Sequence, residues 1–397
     1  MMQIPAFNFG QMPRIVFGAG SRHQLPALAA EFGTHLLIIT GARAFTGSDD
    51  WPRLQTALRE AGLSFEHAVV DGEPSPTQAD ALAAQYRPDN IDVVLGIGGG
   101  SVLDAAKAVA GLLRIPNSVM DFLEGVGPEL PYPGPELPFI AVPTTAGTGS
   151  EATRNAVLSQ HGEGGFKKSF RHERLVAKYA VIDPDLLAGC PASLIAANGM
   201  DALTQLLESY VSTRANPLTD ALAMSGLRAV RDSLLPWFRA EGDLPQHRAN
   251  MAYAALLSGI TLAQVGLGSV HGLAAPLGAF FPMPHGVVCG TLVAECTRVN
   301  IACLQQRAPD SDALWRYAHV GKVLANNMRL GEADGLQALI EQLEFMTREM
   351  VLPTLSSMGM QAADIPRVVA NCRGSSMKTN PVVLSDDEVA GVLLARL

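Results

Sequence analysis

Through its first half the chain alternates short apolar runs with segments in which apolar residues recur every three or four positions. The runs LLIIT (36–40), EHAVV (66–70), DVVLGIG (92–98), PFIAVP (138–143) and YAVID (179–183) are rich in Val and Ile and too short for helices, which predicts strands. Between several of them WPRLQTALREAGL, TQADALAAQYR and SVLDAAKAVAGLL carry the helical period. This alternation predicts a parallel sheet of βαβ units, with ligands at the carboxyl ends of its strands.

After IDPDLLAGCP (182–191) the pattern changes. From residue 191 almost no β-like run remains. Ala/Leu-rich helical patterns broken by Gly and Pro take over, the clearest being ANPLTDALAMSGLRAVRDSLLPWF, RANMAYAALLSGITLAQVGLG and DGLQALIEQLEFMTREMVLP. The expected organisation is an α/β domain over 1–186 followed by an all-α domain over 187–397, and a cleft between such domains is a common ligand site. Within the second half MDALTQLLESY (200–210) reads as an amphipathic helix. Asp201 and Gln205 lie four residues apart on it and so project toward one point.

Composition narrows the class. Of the 397 residues 48% are hydrophobic and 17% charged, which suits a large core and argues against disorder. The net charge of −9, with no basic run, argues against a nucleic-acid partner. The opening MMQIPAFNFGQMP has no export-signal pattern, and no stretch approaches eighteen uninterrupted apolar residues, so no membrane span is expected. Cys190, Cys289, Cys296, Cys303 and Cys372 are irregularly spaced and read as reduced, buried small hydrophobes, as suits a cytoplasmic protein.

Two loops in the first half carry candidate chemistry. In VLGIGGGSVLDAAKAVA a strand runs into Gly98, Gly99, Gly100 and Ser101 and then a helix. Glycines let backbone approach a bulky anion, and the helix start offers free N–H groups and a positive dipole end. The spacing G-x-G-G-G-S is not the usual fingerprint, and a tight strand-to-helix turn explains it equally well. Asp104 and Lys107 on that helix are either surface charges or help to place a nucleotide. AVPTTAGTGSEAT adds hydroxyls from Thr144, Thr145, Thr148 and Ser150 after a second strand, and two such loops in one α/β unit favour a nucleotide site.

In the second half GSVHGLAAPLGAFFPMPHGVVCGTL places His271 and His285 in apolar, Gly/Pro-punctuated surroundings, where an imidazole needs a partner. With Asp201 they form an accepted ligand set for catalytic Zn²⁺ or Fe²⁺, although spacing alone does not show that they converge.

Taken together, GGGSVLDAAKA, VPTTAGTGSEAT, VIDPDL, NGMDALTQLLESYVSTRANPLTDALAM and VHGLAAPLGAFFPMPHGV resemble the iron-containing (group III) alcohol dehydrogenases, in order and over nearly the whole chain. The resemblance implies a Rossmann-like dinucleotide-binding domain, a helical domain of the dehydroquinate-synthase-like plan, and an active site between them. It also implies four metal-binding positions, falling on Asp201, Gln205, His271 and His285. The second is usually histidine in the family, and a further family histidine is Ala275 here. A neutral amide oxygen is a poorer donor than imidazole, so weaker metal affinity is expected, with three adequate ligands remaining.

The implied reaction is reversible hydride transfer between an alcohol carbon and NAD or NADP, with a divalent metal polarising the substrate oxygen. Without metal, His271 or His285 must act as the acid. At the end of the first strand run, Gly41 stands where NAD-preferring relatives place an acid, and Arg43 follows, which tolerates NADP. The helical half shows no dense basic cluster, although Arg154, Lys167, Lys168 and Arg171 precede it, so a small alcohol, aldehyde or keto compound is the expected substrate. The rival readings are a metal-free reductase of the maleylacetate reductase type, a hydroxyacid–oxoacid transhydrogenase, a dehydroquinate-synthase-like lyase and a non-catalytic nucleotide binder. A homodimer or larger homo-oligomer is the expected assembly.

Overall fold

The computed structural model describes residues 4, 6–162 and 164–397; residues 1–3 and 5 of the opening stretch read above for an export signal lie outside them. The chain divides into two compact units, one formed by Gly10–Gln160 with Gly164–Cys190 and the other chiefly by Pro191–Leu397.

The first unit runs β1 (Arg14–Phe17), α1 (Leu25–Ala30), β2 (His35–Gly41), α2 (Asp50–Glu60), β3 (Ser64–Val70), α3 (Pro76–Tyr86), β4 (Val93–Gly98), α4 (Gly100–Leu112), β5 (Phe139–Pro143), β6 (Asn155–Gln160), β7 (Phe166–Arg171) and β8 (Tyr179–Ile182). Six strands form one sheet in the order β1-β8-β5-β4-β2-β3, every neighbouring pair parallel, while β6 and β7 form a separate antiparallel pair. All five strand runs of the sequence are strands of this sheet. β1 and the β6–β7 pair add three elements that the hydrophobic pattern did not announce.

The central strands are apolar without alternation because helices cover both faces of the sheet. Leu37, Ile39 and Val94 pack with Ala106, Val109 and Leu113 around α4. Leu36, Ile38 and Leu95 pack on the opposite face with Leu25 of α1 and Leu54 and Leu58 of α2. At one end of the sheet the buried Asp183 ties two loops together, accepting from the backbone N–H groups of Gly20 and Arg22 and from the Arg22 guanidinium at 2.8 Å. The VIDPDL motif is thus accounted for by structure rather than chemistry.

The strand order reverses between β2 and β4: the chain proceeds from β2 outward to β3, returns to β4, and then continues through β5 in the other direction. Such a switch point leaves a crevice at the carboxyl ends of the two strands. Gly41 closes β2 there and Gly98 closes β4, with Thr40 in register with Ile97.

Beyond β8 the described residues form no strand. α5 (Ala192–Val211), α6 (Pro217–Phe238), α7 (Leu244–Val265), α8 (Ser269–Phe280), α9 (His285–Arg307), α10 (Asp312–Leu324), α11 (Glu332–Glu349), α12 (Ile365–Asn371) and α13 (Asp386–Leu394) make up the second unit. The NPLTD stretch starts α6 with a capping box. Asn216 accepts from the N–H groups of Leu218 and Thr219, and the Thr219 hydroxyl receives the Asn216 N–H.

α5 corrects the amphipathic reading of MDALTQLLESY, because residues 200–210 are buried on every face. α6, α7 and α9 surround it, so its polar residues must find partners inside the protein. α9 is long and apolar enough, by length and composition, to cross a membrane. Yet 72% of its most apolar window is buried within the structure, as befits a core helix.

Candidate active site

The first candidate region lies at the switch point. Gly99 caps α4, and the N–H groups of Gly100 and Ser101 fall in its first turn, where no intrahelical acceptor exists. The loop after β5 packs against this turn. Thr144 N–H donates to Gly98 O at 2.9 Å, and the Thr145 side chain stands over Gly99.

A Cβ on Gly98 would come within 2.6 Å of Val102, and one on Gly100 within 2.6 Å of Thr148. Those two glycines are therefore demanded by the turn's own packing, whatever ligand binds. Gly41 faces the same turn, with Val102 at 3.6 Å from a would-be Cβ. Gly100→Ala is expected to push the two loops apart and raise KM for the nicotinamide cofactor at least about tenfold, a ~1.4 kcal/mol effect. Metal content should not change. Steady-state kinetics and elemental analysis of the variant check both parts.

Asp104 and Lys107 are not the surface charges that the blander reading made them. Lys107 is fully buried. Its Nζ donates to Ser150 O at 2.8 Å, Ser150 Oγ at 3.1 Å, Thr153 Oγ1 at 3.0 Å and Asn155 O at 2.6 Å. Ser150 Oγ in turn donates to Asp104 Oδ1 at 2.6 Å. Ser150 and Asp104, both expected at a cofactor, are thus engaged with each other, and together with Lys107 they pin the Thr144–Ser150 loop to α4. Burial pushes the Asp104 carboxyl up to about 6, pushes Glu151 up to about 7 and draws Lys107 down to about 8.

The second region lies in the helical unit, where four donors converge. Asp201 projects from α5, His271 from the first turn of α8, and His285 from the first position of α9 with Cys289 one turn later. The donor atoms of these four side chains all lie within 4.8 Å of one another. His271 Nε2 is 3.3 Å from Asp201 Oδ1 and His285 Nε2 is 3.8 Å from the same oxygen. Asp201 and His271 are buried, while the His285 side chain keeps 26% of its surface exposed and so forms the open edge of the cluster.

Glu208 completes the arrangement from two turns further along α5. Its Oε2 lies 2.7 Å from His271 Nδ1, and its Oε1 accepts from Val270 N–H at 2.7 Å. A carboxylate on Nδ1 holds a proton there and leaves Nε2, which faces Asp201, as the nitrogen that a bound cation would take.

The electrostatics favour a cation. Burial opposes ionisation of Asp201, but His285, His271 and Cys289 outweigh it and hold the carboxyl below its ordinary range. Burial likewise opposes a charged His271, but Cys289, Asp201 and Glu208 outweigh it and raise its pKa well above the usual histidine value. Asp201 Oδ2 is buried with no hydrogen-bond partner. Such an oxygen is costly unless something positive meets it. Two imidazoles, a carboxylate with a spare oxygen and a nearby sulfur are the donor set of a divalent transition metal, so the residues fit the ion that the sequence implies.

Gln205 is buried one turn beyond Asp201, and its Oε1 accepts a hydrogen bond from Ser258 Oγ at 2.7 Å. Ala275 sits one turn beyond His271 on α8 and offers no polar atom. Sequence reasoning missed Glu208 and Cys289. The available signals were the seven-residue step from Asp201 to Glu208, two turns on one helical face, and the four-residue step from His285 to Cys289. Cys190 is only half-buried, but the other four cysteines are buried and all five are free thiols.

With this geometry in place, comparison with known proteins is direct. The family model for iron-containing alcohol dehydrogenase matches residues 13–184, and the model for the C-terminal part of the Fe-containing alcohol dehydrogenase family matches residues 195–397. The 1,3-propanediol dehydrogenase of Klebsiella pneumoniae is 33% identical over 399 residues, covering 98% of this chain and 96% of that protein. The NAD-dependent methanol dehydrogenase of Bacillus methanolicus is 30% identical over 394 residues, covering 97% and 98%. The crystal structure of a 1,3-propanediol oxidoreductase superposes with a TM-score of 0.87 at 28% identity, covering 99% of this chain and all of the other. The fold and the buried donor cluster define a nicotinamide-linked oxidoreductase acting on CH–OH groups. The chain belongs to the iron-containing alcohol dehydrogenase family.

Glu208→Gln should weaken metal affinity by roughly 10–100-fold, because the His271 tautomer is no longer fixed. Titration of the metal-free protein with Zn²⁺ against a competing chelator measures it, and unchanged affinity would remove Glu208 from the site.

Proposed function

We propose that the protein interconverts a short alcohol and its aldehyde or ketone with NAD or NADP, holding one divalent cation between Asp201, His271 and His285. The observation that carries this reading is the buried donor cluster with its unpartnered Asp201 Oδ2. The related proteins named above act on 1,3-propanediol and on methanol, and one of them is NAD-dependent, which supports a small substrate. The five free thiols support a reducing, cytoplasmic setting. A homodimer or larger homo-oligomer remains part of the proposal.

When bound, the cation supplies Lewis-acid polarisation of the substrate oxygen. The protein's own groups do the rest. Glu208 keeps the proton of His271 on Nδ1. Asp201 contributes the full negative charge that holds the cluster together. His285, the most exposed member, would hold the cation through Nε2 at the open edge of the cluster, and because Ala275 offers no polar atom the alcohol proton passes to water or a cofactor ribose hydroxyl. Ser101, the Gly98–Gly100 turn and the hydroxyls of Thr144, Thr145 and Thr148 receive the pyrophosphate, and Arg43, exposed just beyond β2, accommodates a ribose 2′-phosphate.

The test is a panel of short alcohols and aldehydes assayed with NAD⁺/NADH and NADP⁺/NADPH. Turnover should depend on added nicotinamide. Arg43→Ala should lower kcat/KM with NADP⁺ roughly tenfold, the scale of one charge-assisted contact, and leave NAD⁺ unaffected. Turnover without added cofactor would instead mark a transhydrogenase, and binding of cofactor with no turnover on any member of the panel would overturn the proposal.

A further inference from the structure

We infer that Cys289 binds the divalent cation as a thiolate, completing with Asp201, His271 and His285 a four-donor set that favours Zn²⁺ over Fe²⁺. The inference rests on the metal site proposed above and assigns its fourth ligand, which the family resemblance had placed on Gln205.

Cys289 Sγ lies 3.6 Å from His271 Nε2 and 3.8 Å from His285 Nε2. The carboxylate edge of the same cluster measures 3.3 Å to His271 and 3.8 Å to His285. A tetrahedral ion bonded at ~2.0–2.1 Å to nitrogen or oxygen and ~2.3 Å to sulfur separates its donors by about 3.3–3.6 Å. Four of the six donor–donor separations, 3.3–3.8 Å, therefore lie close to that range, and all six are within 4.8 Å, so the sulfur is near enough to share one ion with the other three donors. Among the described residues no other thiol joins this group.

Position on the helix explains the placement. Cys289 follows His285 by four residues on α9 and so shares its face. Cys296 and Cys303 recur on the same helix and are buried outside the cluster, as packing cysteines should be. The alternative ligand, the Gln205 amide oxygen, lies 2.7 Å from Ser258 Oγ, so a hydrogen bond competes for it. A neutral amide is also a weak donor, whereas a thiolate is a strong, soft one that suits Zn²⁺. On binding, the thiol gives up its proton to solvent as the sulfur–metal bond forms. The count of four protein donors is kept, with sulfur in place of the missing imidazole.

The experiment uses the full chain loaded with one equivalent of Co²⁺ as a spectroscopic stand-in. The wild-type protein should show a near-ultraviolet sulfur-to-cobalt charge-transfer band. Cys289→Ser should lose the band, and its Zn²⁺ affinity should fall by more than the ~10–100-fold that loss of an outer partner costs. Gln205→Met, which keeps volume without an amide, should retain the band.

Stoichiometric cobalt in the wild-type protein with no such band overturns the inference without any variant, so a Cys289→Ser protein that failed to fold would not rescue it. A Cys289→Ser protein with the wild-type spectrum also overturns it. In both cases the metal site of the proposed function survives. A wild-type protein that takes up neither Co²⁺ nor Zn²⁺ sinks both.

Discussion

Asp201→Asn is expected to abolish stoichiometric metal binding and to lower kcat/KM by about a thousandfold, or ~4 kcal/mol of transition-state stabilisation. The substitution preserves shape, so packing within α5 should survive. What changes is charge and polarity at one buried point. Asp201 Oδ1 faces the Nε2 atoms of both histidines at 3.3 and 3.8 Å, and Oδ2 is buried without a hydrogen-bond partner among the described residues. An asparagine would remove the only carboxylate whose donor atom lies in the four-residue cluster and could turn N–H hydrogens toward the position of a cation.

The thermal transition gives an independent readout of the same change. Wild-type stability should rise with added metal, following the mass-action rule for a ligand of the folded state. The variant should not respond. A variant that still binds one ion tightly would show that the carboxylate is a bystander.

Lys107→Met should cost about 3–5 kcal/mol of stability, the usual consequence of stripping one partner from a buried, hydrogen-bonded charge network. The lysine holds four oxygens of the 150–155 segment and lies 3.9 Å from Asp104. Methionine fills the volume and satisfies none of them. Because the segment continues directly from the Thr144–Ser150 loop, the variant should also bind nicotinamide cofactor more weakly, an effect that cofactor titration detects separately from unfolding.

The same cluster gives the stability a defined pH dependence. Glu151, raised from 4.5 to about 7 by burial, holds an extra proton in the folded state across that window, so its contribution is complete below pH 4.5 and lost as pH rises through 7. Asp104, raised from 3.8 to about 6, acts in the same direction. Lys107, lowered from 10.5 to about 8, is protonated more in the unfolded chain between those values, so stability recovers as pH rises from 8 to 10.5. Denaturant melts should therefore fall from pH 4.5 to 7 and rise again above 8. In Lys107→Met the rising limb should vanish. A flat profile in the wild-type protein would contradict the burial of these groups.

Much of this was legible in the sequence, and the exceptions have physical causes. The five strand runs and the α/β-to-helical transition announce themselves because strands and helices covered on both sides carry little but apolar residues. β1 is only RIVF and lies at the sheet edge with three of its four residues exposed, so it has no buried pattern to display. β7, FKKSFR, carries three basic residues and reads as a loop.

The reading of Lys107 stayed open between a surface charge and a nucleotide contact, because a single charge on a helix normally faces water. Its surroundings, AAKAVAGLL, left the helix no polar face for it to sit on, and that was the available clue. At the metal cluster Asp201, His271 and His285 were recognisable by residue type, but their convergence depends on how α5, α8 and α9 pack. Cys289 was passed over because a buried cysteine is usually a small hydrophobe. Only the structure sets its sulfur against two imidazoles.

Whether a bound cation is required for turnover is decided by elemental analysis of protein purified without chelators, with turnover assayed before chelation, after it and after metal is restored. The protein is expected to hold one divalent ion per chain, to lose turnover when the ion is removed, and to recover it when Zn²⁺ or Fe²⁺ is returned. Fully active protein containing no metal would contradict that requirement and would leave His271 and His285 as the acids of a metal-free reductase.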